Sequence, residues 1–234
     1  MKSNISKLNQ AASGRVESTP TMRGALAALS LSMLLSSLGT SIANVGLPTL
    51  AEAFNASFQE VQWVVLAYLL AITTLIVSVG RLGDLSGRRR LLIAGIFLFT
   101  LASVLCSVAP TLGLLIAARA LQGLGAAIMM ALSMAFVGET VAKEKTGSAM
   151  GLLGAMSAVG TALGPSLGGV LIGGFGWQSI FLLNVPLGVL ALYLSYCYLP
   201  VDSPAAKNAR GSFDAIGSKC GRHRGSKDSD EGEK

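Results

Sequence analysis

Six stretches of this chain are long and apolar enough to cross a membrane, and nothing else in the sequence constrains its fold as strongly. They lie at about 24–47, 61–79, 91–109, 111–137, 147–173 and 178–199. Each is near or above the ~20 residues that a helix needs to span a bilayer core. Hydrophobic residues make up 52% of the chain and charged ones 13%, and the 28 glycines are what closely packed spanning helices use. The expected fold class is all-α and integral to the membrane. Residues 1–23 read as a polar, disordered lead, 24–199 as a six-helix transmembrane bundle and 200–234 as a polar, disordered tail.

The placement of charge orients the bundle. Lys2, Lys7, Arg15, Arg23, Arg81, Arg88 to Arg90, Lys143, Lys145 and the basic residues of the tail fall on one face of a six-span arrangement. The opposite face, carrying a loop from Leu50 to Glu60, has Glu52 and Glu60 and no lysine or arginine. An excess of lysine and arginine marks the cytoplasmic side, so both termini are expected there. Basic patches interleaved with aromatics are absent, which argues against a nucleic-acid partner. Cys106, Cys197 and Cys220 are odd in number and spaced neither as a disulfide framework nor as a zinc site. No nucleophile–base pair or metal-ligand cluster is evident, so neither an enzyme nor a metal or cofactor is expected. The lipid bilayer is the partner that composition implies.

Between the second and third runs stands Gly80-Arg-Leu-Gly-Asp-Leu-Ser-Gly-Arg-Arg-Arg90. Charge of this density belongs at a water face, as the tie between two spans. Gly80, Gly83 and Gly87 permit a tight turn and close approach. Asp84 and Arg88 are four apart, which on a helical turn sets opposite charges side by side. The plain reading is a solvated cytoplasmic loop. The pattern also resembles the loop between helices 2 and 3 of the major facilitator superfamily. That resemblance implies a gate latch built from Asp84, Arg88 and Arg89 on the glycines 80, 83 and 87. Leu85 stands where that family usually has a basic residue.

Polar groups inside the apolar runs are few. In the first run Ser30, Ser37, Thr40, Ser41, Asn44 and Pro48 recur at helical steps and form one face, which either borders a central cavity or bonds back to its own carbonyls. The stretch from Leu38 to Pro48 resembles the first-helix motif of fourteen-helix drug/proton antiporters, except that Gly39 occupies the place of an aspartate. Arg119 is the one charge well inside a run. An arginine at that depth either snorkels to an interface or serves a function. Gln122 shares its face, and Gly123 and Gly125 allow close packing beside it. Arg119-x-x-Gln122-Gly123-x-Gly125 resembles the helix 4 motif of the same superfamily, which implies a role for Arg119 in proton coupling. Gly123-x-Gly125 is not a dinucleotide fingerprint, because no strand precedes it and no third glycine follows. In the fifth run Gly147, Gly151, Gly154, Gly160, Gly164 and Gly168 make a packing groove, and Pro165 removes one backbone donor. Gly160, Gly164, Pro165, Gly168 and Gly169 resemble the antiporter motif of drug exporters. Trp177 to Gly188 resembles the family's entry into helix 6.

Ser212 to Gly217 resembles the lead into a seventh helix, but the residues that follow are charged and of low complexity. The expectation is therefore the N-terminal half of a major facilitator transporter, in the multi-pass inner membrane. The resemblance implies export of a small lipophilic compound, with the proton as coupling ion and Arg119, Gln122, Asn44, Ser41 and Thr40 as transport residues. A separate C-terminal half, or a second copy, is the partner such a half needs. The alternative is a non-transporting membrane subunit that packs against a partner, or a defective fragment. For orientation, reporter fusions at the N-terminus, near Asn55 and in the tail should show both ends cytoplasmic and Asn55 outside. Activity of a periplasm-dependent reporter at either terminus would refute it.

Overall fold

In the computed structural model the described residues are 20–141 and 143–199. The lead before residue 20 and the tail after residue 199, with the expectations attached to them, lie outside the described residues. The described residues form seven helices, in order α1 (Pro20–Phe54), α2 (Phe58–Ser86), α3 (Arg88–Ser107), α4 (Leu112–Thr140), α5 (Lys143–Phe175), α6 (Ser179–Leu182) and α7 (Asn184–Tyr198). Helices α1 to α5 each contain one apolar span, and α6 with α7 makes the sixth. The fold is an all-α, six-span membrane bundle.

The ends of the helices differ from the expected boundaries for physical reasons. Helix α1 runs through Pro48 to Phe54, which reduces the expected Leu50–Glu60 loop to Asn55–Ser57. Asn55 takes a left-handed conformation (φ 48°), which a short polar side chain tolerates better than most. Ser57 then caps α2. Its Oγ accepts from the Glu60 N–H at 3.3 Å, and its own N–H donates to Glu60 Oε2 at 2.8 Å, so two otherwise orphaned donors are satisfied reciprocally. Helix α2 absorbs most of the polar stretch expected as a loop, and the turn into α3 is Gly87 alone, at φ 93°. A glycine adopts that angle without the Cβ penalty. The sixth span is interrupted at Leu183, next to the Leu182 carbonyl that Pro186, four residues on, has no N–H to serve.

Helix α1 lies chiefly along α5 and also against α7, while α4 lies along α2 and α3. Contacts of α1 with α4 and of α3 with α7 join the two groups. Large apolar side chains such as Phe97, Leu101, Val170, Phe175 and Val189 point outward. This is the expected arrangement in lipid, where apolar burial no longer drives helices together and close packing does. Glycines provide that closeness. A Cβ on Gly125 of α4 would stand 2.7 Å from the Phe99 nitrogen and 2.8 Å from the Gly95 oxygen of α3. Gly169 on the open side of α5 has nothing within 4 Å of such a Cβ. Gly125→Ala should therefore cost about 1–3 kcal/mol in unfolding by SDS titration, whereas Gly169→Ala should leave stability unchanged or slightly raised.

Candidate functional site

Arg119 is carried by the second turn of α4 and is fully buried. It does not snorkel, since its guanidinium is held on all sides by protein. Nε donates to the Val64 carbonyl of α2 at 3.2 Å, Nη2 to the Gly39 carbonyl of α1 at 3.0 Å, and Nη1 to Gln122 Oε1 at 2.7 Å. A helical carbonyl keeps a second lone pair after accepting its own backbone bond, so Val64 and Gly39 give up nothing to receive the arginine. The guanidinium carbon also lies 4.5 Å from the centre of the Tyr68 ring and 5.6 Å from that of Phe181. One planar cation thus joins α1, α2, α4 and α6, at the place where two apolar clusters meet.

A second tier extends this cluster into α3. Gln122 Nε2 donates to Ser103 Oγ at 2.7 Å, and Ser103 Oγ in turn donates to the Phe99 carbonyl at 2.8 Å. Cys106 Sγ approaches Gln122 Oε1 at 4.0 Å. Tyr68, fully buried, donates its hydroxyl to the Ser36 carbonyl at 2.7 Å. Arg119 and Gln122 therefore come together as their spacing indicated. Tyr68, Ser103, Cys106 and Phe181 complete the cluster but carry no signal in the sequence, because aromatic, serine and cysteine residues in a spanning run look like ordinary packing. All hydrogen-bond acceptors on the guanidinium are neutral oxygens. Gly39 meets it with a backbone carbonyl where the resembling family has a carboxylate.

The other expected transport residues are placed elsewhere. Ser41 is buried and turned toward α5, donating to the Thr161 carbonyl at 2.7 Å. The hydroxyl of Ser37 also crosses to α5, where it bonds that of Ser157. Thr40 and Asn44 bond back to their own helix, at the carbonyls of Ser36 (3.2 Å) and Thr40 (3.3 Å). Asn44 and Pro48 are exposed, and Ser30 is buried. The helix 1 face is thus divided between a seam and an open side. In α5 the same division holds. Gly160, Gly164 and Gly168 are buried against α1, whereas Pro165 and Gly169 face away from it.

The glycine corner is a helix–glycine–helix bend. Gly83 is buried against Leu132 of α4, Gly80 is open, and the Gly87 N–H closes the end of α2 on the Gly83 carbonyl at 3.2 Å. The Asp84 side chain, and with it the expected Asp84–Arg88 latch, lies outside the described residues. Arg88, Arg89 and Arg90 follow one another on the first turn of α3 and so point in different directions. Arg89 reaches the far end of α7, where Nη2 donates to the Tyr196 carbonyl at 2.7 Å and the guanidinium lies 5.6 Å from the Tyr196 ring. That carbonyl is among the last of α7, which has no further helix N–H to offer it. A cation at a helix C-terminus is doubly favoured there.

Two outcomes are expected. Arg119→Lys should destabilise the bundle by about 2 kcal/mol or more in SDS unfolding, because a compact ammonium cannot serve three acceptors on a plane. Arg89→Ala should speed amide exchange at Ser195–Leu199 by about threefold or more, leaving the Arg119 region unchanged.

Residues 29–226 match the Major Facilitator Superfamily. The chain is 38% identical over 187 residues to the riboflavin transporter RibZ of Clostridioides difficile, covering 80% of this chain and 41% of that one. It is 41% identical over 194 residues to the multidrug resistance protein Stp of Mycobacterium tuberculosis, covering 82% and 35%. The chain thus spans well under half the length of either relative. Among solved structures, the fold superposes with TM-score 0.70 and 17% identity on a bacterial homologue of the human lysosomal transporter Spinster, covering 79% of this chain and 46% of that one. A D-xylose–proton symporter gives TM-score 0.70 and 17% identity, covering 85% and 53%. The matched region takes in all of the described bundle but the start of α1, so the chain belongs to the Major Facilitator Superfamily, a family of membrane transporters and not of enzymes.

Proposed function

We propose that this bundle is the N-terminal half of a proton-coupled exporter of small lipophilic compounds, set in the inner membrane with both termini cytoplasmic. The single observation behind the cargo class is the 41% identity to a protein named for multidrug resistance. The chemistry of the open faces agrees with it. The open side of α1 presents Asn44 and Pro48, and that of α5 presents Thr161, Ala162, Pro165 and Gly169. These are neutral, small and weakly polar, as suits a cargo held by shape and a few hydrogen bonds. Substrate sites in such transporters lie at the midplane between repeats, so one bundle supplies one wall. A second bundle, from a separate chain or a second copy, supplies the other.

The proton needs a different carrier from Arg119. An arginine stays protonated in proteins, and position 39 holds a glycine. We give Arg119 the task of holding α1, α2, α4 and α6 in register and assign the coupling proton to a group outside the buried cluster. Riboflavin is the rival cargo, since a relative 38% identical is named for it.

Vesicles carrying the purified chain under an imposed proton gradient should move neither lipophilic dyes nor riboflavin. The same vesicles with the chain joined to the second bundle of a drug-exporting relative should expel dyes. Gradient-driven dye efflux by the chain alone, lost in Arg119→Ala, would refute both the division of labour and the need for a second bundle. Riboflavin movement without dye efflux in the joined protein would replace the cargo class.

A further inference from the structure

The Gly164–Pro165 pair of α5 poses a hydrogen-bonding problem that the structure answers from another helix. In an unbroken helix the N–H of residue 165 would donate to the carbonyl of Thr161, four residues back. Pro165 has no N–H, yet α5 continues without interruption from Lys143 to Phe175. Between two helices packed as closely as α1 and α5 no water can take the vacated place, so an orphaned carbonyl there is costly. The Thr161 carbonyl is not orphaned. Ser41 of α1 donates its hydroxyl to it at 2.7 Å.

Gly164 makes that approach possible. A Cβ at position 164 would overlap both Oγ and Cβ of Ser41 and would stand 2.9 Å from the Ile42 nitrogen. Any larger residue would push α1 away and take the hydroxyl out of reach of Thr161. One turn earlier the hydroxyls of Ser37 and Ser157 meet across the same seam, and Gly160 is packed against the Leu34 carbonyl, so α1 and α5 are already in register when Ser41 arrives. Three other hydroxyls of α1 donate to their own helix, at Ala28 (from Ser32), Ser32 (from Ser36) and Ser36 (from Thr40). Ser41 donates across to α5.

We propose that Ser41 is the replacement donor for the bond that Pro165 removes, and that Gly164 and Pro165 act as one device. Proline frees the acceptor, and glycine clears the path of the donor. The inter-helix bond so formed positions α5 on α1, and a sliding of the two helices can break it without opening a backbone hydrogen bond. This assignment does not rest on the transport reading, and its test is separate from any transport assay.

The test is a double-mutant cycle on the full chain, unfolded by SDS in mixed micelles. Ser41→Ala should raise the unfolding constant about tenfold. In the Pro165→Ala background, where residue 165 supplies its own N–H, Ser41→Ala should change it by less than about twofold. Ser41→Thr, which keeps the hydroxyl, should retain most of the coupling to Pro165. Equal effects of Ser41→Ala in both backgrounds would overturn the proposal. Solid-state NMR of the chain in lipid gives an independent reading that needs no proline variant. The carbonyl carbon of Thr161 should move upfield in Ser41→Ala, and an unmoved resonance would equally overturn it.

Discussion

Inside a bilayer the backbone polar groups have to find their partners within the protein, and this constraint decides most of what is specific about the bundle. Lipid chains are as apolar as leucine, so the exposed side chains of Phe97, Leu101 and Val170 gain little by turning inward. What holds the helices is close approach, opened by residues such as Gly125 and Gly160, and hydrogen bonds that cross from one helix to another. The same condition governs the ends of the spans. Ser57 and Glu60 close the start of α2, Gly87 closes its end on Gly83, and Arg89 answers a terminal carbonyl of α7.

Arg119 shows how the constraint shapes a charge. A guanidinium deep in a membrane protein is costly unless its donors are used and its face is covered. Here three donors reach Val64, Gly39 and Gln122, and the rings of Tyr68 and Phe181 lie beside it. No carboxylate is among these contacts, so the guanidinium is held by neutral oxygens and aromatic faces drawn from four helices. Arginine is suited to such a task because its planar fork addresses several acceptors at once.

The glycine corner between α2 and α3 divides its arginines in a similar way. Gly87 allows α3 to begin at once after α2, so Arg88, Arg89 and Arg90 leave the first turn about 100° apart. One of them ties the start of the third span to the end of the sixth. A loop of several residues would have left the three side chains unanchored. The short corner places Arg89 at a defined height beside Tyr196.

The number of spans, the fold class and the pairing of Arg119 with Gln122 were legible in the sequence. Run length, charge asymmetry and an i, i+3 spacing are properties of one segment at a time, and they need no knowledge of neighbours. In the fifth run Gly160, Gly164 and Gly168 form the expected seam, whereas Gly147, Gly151 and Gly154, expected in the same groove, stand open with no neighbour close enough to need a glycine. Which helix filled the seam was decided by tertiary structure alone. Nothing local to α1 distinguishes Ser41, which crosses to Thr161, from Thr40 beside it, which bonds its own helix. The rest of the arginine cluster was equally hidden, because Val64 and Gly39 contribute only carbonyls, which every residue has. Tyr68, Ser103 and Phe181 become part of the site through the packing of α2, α3 and α6 around α4. Periodicity reveals which face of a helix is turned inward. It does not reveal what waits on the other side, and in this bundle that is where the hydrogen bonds are satisfied.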